Sequence, residues 1–399
     1  MGKKWQYLLK NKDKTVLFFE AETKIAQLEN LTSEFREIVK AEVINQAFLP
    51  YEFLIKKDKN IIDILKDWIK KRKVPNNREF VNNILATFSD KKNDFLTYLD
   101  ISLALSLNDS FWIIPADSDY QWKNYNLYEN SFNEILALVA FAGHSAKVDG
   151  ITTSPEYTTN GMLKKCWHKN NLNGKIELLK GQTKEYANRG KEAFCEYYMC
   201  QIAEVFAFDF VKYDLREFNG EIVTSCELFS SPKYGYIPMA NCIKEGINFD
   251  NTVELFDAIM AIYGKENFQD LLVFDALICN IDRHLGNFGM LIDNDNNQLI
   301  KQAPIFDNGM CFLNLITKDE LENIEAALIK NAYYESAFKL NFDAQIKFAA
   351  NKRHIPTLSK LSDFQFKRHK KYNLAEFWIK SAEKFIQERS KKIIKMIEK

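Results

Sequence analysis

The sequence predicts an α+β protein in three parts: a mainly helical N-terminal accessory region over 1–100, a small β-rich lobe over 101–229 and a larger, mostly helical lobe over 230–399. Three observations carry that expectation. Short β-like runs joined by Asn/Gly turns cluster between Met162 and Cys226, and helical periodicity governs the chain from Asn251 onward. The interruption of that helical stretch is a polar loop followed by a hairpin, Asn280 to Gly309.

Composition sets the outer bounds. With 399 residues, 46% of them hydrophobic and 14% aromatic, the chain has the material for two or three domains with real cores, and disorder is excluded. The 54 Lys and Arg balance the 54 Asp and Glu, so no global field exists to hold nucleic acid or an anionic membrane. Direct nucleic-acid binding is therefore not expected. The seven cysteines are scattered without C-x-x-C pairs, which fits a reducing compartment rather than a zinc ribbon or disulfide frame. Met1-Gly2-Lys3-Lys4-Trp5 lacks the apolar run of a signal peptide, Gln6 stands where myristoylation favours Ser or Thr, and no stretch is long enough for a membrane span. A soluble, cytoplasmic protein with no membrane partner is expected.

Taken in order, Tyr7 to Ala21 alternates enough for a strand or hairpin around Asn11-Lys12-Asp13-Lys14. Asn60 to Lys71 is an amphipathic helix with Ile61, Ile62, Leu65, Trp68 and Ile69 on one face, closed by the basic run Lys70-Lys71-Arg72-Lys73, which complements the helix dipole. After Val74-Pro75-Asn76 a second helix runs from Asn77 to Phe88, with Phe80, Val81, Ile84, Leu85 and Phe88 inward. Ser106 to Pro115 reads as a polar turn feeding an aromatic strand, and Ser131 to Phe141 as a core helix N-capped by Asn130 or Ser131. A polar loop, Ser154 to Gly161, precedes the strands Met162–Trp167 and Ile176–Lys180, which are joined by the turn Lys169 to Lys175. A helix from Phe194 to Ala203 follows. Further strands, Phe210–Asp214 and Ile222–Cys226, flank Asn219-Gly220. The tail beyond Asp319 is a series of amphipathic helices with Leu374, Phe377, Trp378, Ala382, Phe385, Ile386, Ile393 and Ile397 inward.

The chemistry sits in the interruption. The run Phe268 to Ile278 is apolar around most of a helix and so belongs in a core, yet it delivers Asn280-Ile281-Asp282-Arg283-His284-Leu285-Gly286-Asn287. Charges behind a buried helix are costly unless they pair, bind metal or line a cleft. Two strands, Phe288–Ile292 and Leu299–Ala303, then enclose the turn Asp293 to Asn297 and return the chain at Ile305-Phe306-Asp307-Asn308-Gly309. Phosphoryl transfer requires a carboxylate to orient and deprotonate the attacking hydroxyl, with an amide oxygen and a second carboxylate for Mg²⁺. Asp282 and Asn287 have the separation of the Asp and Asn in a protein-kinase catalytic loop, and Asp307 takes the place of the aspartate in D-F-G. The expected fold is thus two-lobed and protein-kinase-like, with ATP and Mg²⁺ as cofactors. Asp282, Arg283 and His284 form the catalytic motif, and Asn287 and Asp307 are the metal ligands. The loop to cover the phosphates is Ser154 to Gly161, where Ser154, Thr158, Thr159 and Asn160 supply donors in place of glycine. Lys180 is the strand lysine for the phosphates, and Glu196 can pair with it.

The order Asp-Arg-His, inverted from His-Arg-Asp, together with Glu196-Tyr197-Tyr198, resembles the HipA-like serine/threonine kinases over roughly residues 150–314. The resemblance implies ATP- and Mg²⁺-dependent phosphorylation of protein serine or threonine, and it selects Glu196 over Glu192. It also implies autophosphorylation in the phosphate loop, with Ser154, Thr158 and Thr159 competing for the modified position. Glu227 and Phe229 would lie at the nucleotide base. The family's partners include a DNA-binding antitoxin and substrates among translation factors, but the first hundred residues match the family's N-terminal domain poorly. A lipid kinase shares Asp-Arg-His-x-x-Asn but wants basic residues after the metal motif, where Met310 to Thr317 carries no charge. A small-molecule phosphotransferase and an inactive regulator on the same fold remain alternatives. Asp293-x-Asp295-x-Asn297 lacks the glycine and glutamate of a calcium loop and is a turn.

Overall fold

The computed structural model describes residues 3–28, 31–56, 58–87, 96–147, 151–170, 172–183 and 190–399. The chain divides into two compact units: Met1–Leu179 with Ser230–Ile237 and Leu291–Ile300, and Lys180–Phe229 with Pro238–Met290 and Lys301–Lys399.

The first unit opens on an antiparallel sheet. Lys4–Asn11 pairs on one side with Lys14–Leu28, which in turn pairs with Leu31–Val43, and on the other side with Phe111–Pro115. Alternation sets its buried face: Tyr7 opposes Phe19 with rings stacked at 5.0 Å, Leu9 opposes Leu17, and all four are buried. The expectation of a mainly helical accessory region is therefore corrected. Residues up to Val43 are chiefly strand, because long-range pairing overrides the weak β-propensity of their Glu, Lys and Ala.

The Ile61–Lys71 helix packs Ile64, Leu65, Trp68 and Ile69 against that sheet, and Asn60 caps it by accepting from the Ile62 amide. Two residues of the basic run at its end are engaged locally. Arg72 is buried across Asp109 and over the Trp68 ring, and Lys71 pairs with Glu52. The helix expected from Asn77 begins only at Val81, since Phe80 is left-handed at φ 59°; Phe88 lies outside the described residues. The next helix, Glu134–Ala142, is capped by Asn133, which accepts from the Ile135 and Leu136 amides, and not by Asn130 or Ser131.

In the second unit the Glu192–Val205 helix is followed by the hairpin Tyr213–Phe218/Glu221–Glu227. Its tip, Asn219-Gly220, carries two positive φ values, the conformation a two-residue turn of this hand requires. The centre is the Lys265–Ile278 helix, whose Phe268, Leu271, Leu272, Val273, Phe274, Ala276, Leu277 and Ile278 are all buried. Two helices cover it. Phe342–Ala349 sends Gln345 to the Leu272 carbonyl at 2.8 Å, and Glu376–Glu398 sends Arg389 to that of Ala276 at 3.2 Å. Phe377, expected inward, is exposed, because the inward stripe of the last helix runs through Ile379, Ala382, Phe385, Ile386 and Ile393. Among the described residues no helix is long and apolar enough to cross a membrane.

Candidate active site

The central helix stops at Cys279, which is left-handed at φ 49°, and the chain turns into the loop 280–287. Hydrogen bonds within the loop set its shape. Asn280 accepts from the Asp282 amide at 3.1 Å, and the Asn287 side chain donates to the Asp282 carbonyl at 2.8 Å, which closes the loop between the two expected functional residues. At Gly286 a Cβ would stand 2.8 Å from the His284 ring, so a larger residue there would displace that ring from its present place. His284 is exposed and accepts from the Gly286 amide at Nδ1, which makes it the residue that shapes this turn.

Arg283 does not face outward, contrary to its expected place in the catalytic motif. It is 1% exposed and its guanidinium pairs with Asp275 at 3.0 Å, so it can touch no substrate. Burial by itself would lower the Arg283 pKa, but the charge and hydrogen bonds of Asp275 outweigh it, so the value is raised and the group stays charged. Asp275, the one charged side chain among the buried residues of this helix, has no counterpart among the residues expected from the sequence. The signal for it is its place between Phe274 and Ala276 in the apolar half of the run, where an acid must find a partner, whereas Asp270 stands next to Gln269 nearer the polar start.

The second segment returns through Ile305. Asp307 is left-handed at φ 58° and donates its amide to the Tyr213 hydroxyl at 3.1 Å, while the next amide, of Asn308, donates to Glu196 Oε2 at 2.7 Å. The other oxygen of Glu196 accepts from Lys180 Nζ at 2.9 Å, and Lys180 also reaches Asp307 Oδ1 at 2.5 Å. Glu192 is engaged elsewhere, by the hydroxyl and amide of Thr183. Burial by itself would lower the Lys180 pKa, but Asp307 and Glu196 outweigh it and the ammonium is held protonated. Asp282 is shifted upward, first by burial and then by the like charge of Asp307, against the pull of His284, Lys180 and Arg283. Nothing in the sequence pointed to Tyr213, whose role arises from the return of a distant strand. Asn308 was legible only as a neighbour of Asp307.

The remaining expected residues are placed as follows. Glu227 ends its strand exposed, and the Phe229 ring lies against that of Phe306 at 5.7 Å, one residue before Asp307. Ser154, Thr158, Thr159 and Asn160 belong to the other unit. There the Ser154 hydroxyl donates to Glu156 at 2.8 Å, Thr158 to the Leu105 carbonyl at 2.8 Å and Thr159 to that of Pro155 at 2.6 Å, while the Asn160 carbonyl accepts from Lys165. Ser154 and Thr158 are buried. In this arrangement the three hydroxyls are committed to the protein's own acceptors.

The donor set suits a hard divalent cation. With its amide nitrogen held by the Asp282 carbonyl, Asn287 has its oxygen to offer, and Asp307 has a carboxylate. Among the described residues no three His, Cys, Asp or Glu side chains gather to hold a metal, and Mg²⁺ bound through one or two side chains plus phosphate oxygens needs no such group.

No protein-family profile matches the chain. An Asp-Arg-His loop, an Asp-Asn-Gly segment and a Lys–Glu pair stand together in this fold, and the chain is similar in sequence to a serine/threonine-protein kinase and in fold to kinases of the HipA type. In particular, it is 28% identical over 173 residues to the serine/threonine-protein kinase CtkA of Helicobacter pylori, an alignment that covers 39% of this chain. The chain spans about half, 53%, of the length of that curated relative. The crystal structure of H. pylori proinflammatory kinase CtkA superposes with a TM-score of 0.50 at 21% identity, covering 61% of this chain and 93% of that one. The HipA toxin–antitoxin complex of Shewanella oneidensis, solved with HipB and operator DNA, matches with a TM-score of 0.54 at 11% identity over 98% of each chain.

Proposed function

We propose that this protein is an ATP- and Mg²⁺-dependent serine/threonine protein kinase that acts in the cytosol. The observation that carries the reading is the Lys180–Glu196–Asp307 arrangement, in which one partly buried ammonium bridges a helix glutamate and the proposed metal-binding aspartate. In a kinase such a lysine holds ATP phosphates and the glutamate fixes the lysine. Asp282 orients the substrate hydroxyl and takes its proton, and Asn287 and Asp307 hold the cation, which neutralises charge on the transferring phosphoryl group. Glu227 and Phe229 form part of the base site, and Ser154, Thr158, Thr159 and Asn160 cover the phosphates once their present hydrogen bonds are exchanged. A lipid head group is disfavoured, because Cys311 to Leu315 are packed into the core where such a kinase needs exposed cations.

The cation decides the reading. ATP with Mg²⁺ or Mn²⁺ should raise the melting temperature of the full chain, as any ligand selective for the folded state must, and EDTA should abolish the shift. A shift with ATP that EDTA leaves intact removes the metal assignment.

The protein also modifies itself within Ser154 to Thr159. A phosphoryl group there adds roughly −1.5 to −2 charge beside carboxylate Glu156 and cannot occupy the buried position of the present hydroxyls, so the modified loop leaves its packing and activity falls. Mass spectrometry of that peptide after incubation with ATP reads the event. An unmodified peptide alongside activity on another protein refutes it. The reading further includes an antitoxin partner, in line with the HipB that accompanies HipA in the Shewanella structure of similar fold, and a toxin role against a translation factor, which rests on the resemblance to the HipA-like kinases alone.

A further inference from the structure

All five N–H groups of the Arg283 guanidinium are used, and the partners fall into three sets. Nε and Nη2 bind the Asp275 carboxylate on the central helix at 3.0 to 3.2 Å. Nη1 takes two carbonyls, that of Asn287 at 3.0 Å and that of Phe306. Nη2 also donates to the Asn308 side chain at 2.6 Å. One planar group is thereby tied to the backbone of one proposed metal ligand, to both neighbours of the other, and to a rigid helix.

We infer that Asp275, Arg283 and Asn308 form a positioning clasp that sets the separation of the Asn287 and Asp307 side chains and so governs the affinity of the site for its divalent cation. This rests on the kinase reading of the site. The physical ground is pre-organisation: the two ligands come from segments about twenty residues apart in sequence, and a cation that demands near-ideal octahedral geometry pays for any misplacement. A guanidinium suits the task because its donors are rigidly forked, whereas a lysine is a point charge on a flexible stem. The far side is closed as well. Glu196 Oε2 takes the Asn308 amide while Oε1 takes Lys180, so the phosphate-type lysine and the clasp share one carboxylate.

Asn308→Ala removes one arm of the clasp and leaves the backbone bond to Glu196. Arg283→Lys keeps a positive charge by Asp275 and removes the fork. Both full-length variants are compared with the wild type by electron paramagnetic resonance of Mn²⁺ in the presence of a non-hydrolysable ATP analogue, with the metal-free melting curve recorded for each. The expected result is binding of Mn²⁺ weakened roughly 10- to 100-fold, the range seen for groups that orient metal ligands. Phosphate transfer, where measured, should recover toward the wild-type rate as Mn²⁺ is raised. A variant that melts cooperatively and binds Mn²⁺ as tightly as the wild type overturns the clasp, and Arg283→Lys or Asn308→Ala alone suffices if the other does not fold. Lack of Mn²⁺ binding by the wild type with the analogue instead overturns the kinase reading on which the clasp depends.

Discussion

Replacing Asp307 with Asn should leave a chain that binds ATP no better with Mg²⁺ than without it and transfers no detectable γ-phosphate. The variant loses the carboxylate that anchors the cation and one of the two carboxylates that hold Lys180. Charge stabilisation by a metal is worth several kcal/mol, and at 1.36 kcal/mol per decade a loss of about 4 kcal/mol lowers the rate roughly 10³-fold. Nucleotide-dependent melting shifts with and without Mg²⁺, read beside transfer of labelled phosphate to the protein itself or to lysate proteins, check both halves. Transfer at the wild-type rate refutes the assignment of Asp307.

The second large effect is expected at Asp282, and it differs in kind. Asp282→Asn should still bind Mg-ATP but lose roughly 10²-fold or more in transfer, because only the proton acceptor is gone. Its stability should move the other way. Burial and the charge of Asp307 raise the Asp282 pKa in the folded state above that in the unfolded state, so the folded chain holds its proton to higher pH. Stability contributed by the protonated form is present below the unfolded value and is lost as pH rises through the raised one. At neutral pH the metal-free Asn variant, which cannot ionise, should melt no lower than the wild type, and its advantage should vanish once Asp282 is protonated in acid. Thermal melts across pH without metal test this. A variant that is both inactive and clearly less stable at neutral pH would show a folding defect instead of a lost base. Overexpression of either Asp variant should also fail to arrest growth if the wild type does so.

Much of the candidate site could be read from local spacing. The interval from Asp282 to Asn287, the Asp-Asn-Gly at 307–309 and the lysine ending Ile176–Lys180 are patterns of neighbouring residues, and the structure gathers Lys180, Glu196 and Asp307 into one network. The choice of Glu196 over Glu192 needed a family resemblance, because both lie on one helix and only the packed structure gives Glu192 to Thr183. The N-terminal region departs from the helical expectation for a related reason. Lys14–Leu28 and Leu31–Val43 are rich in Glu, Lys and Ala, and only pairing along their lengths makes strands of them.

What the sequence determined by itself is therefore what depends on short intervals: the α+β class, the apolar central helix, the hairpin turns and the order of the carboxylate and amide groups that phosphoryl chemistry requires. What only the tertiary structure decided is which polar groups face solvent and which are enclosed. Arg283 belongs by motif to the catalytic triplet, yet Asp275 lies eight residues upstream and Phe306 and Asn308 beyond a hairpin, and together they enclose it. The hydroxyls of Ser154 and Thr158 look free in a polar loop, yet Glu156 and Leu105 have claimed them. Burial is a property of the whole packed chain, and a buried donor takes whichever acceptor the fold brings to it.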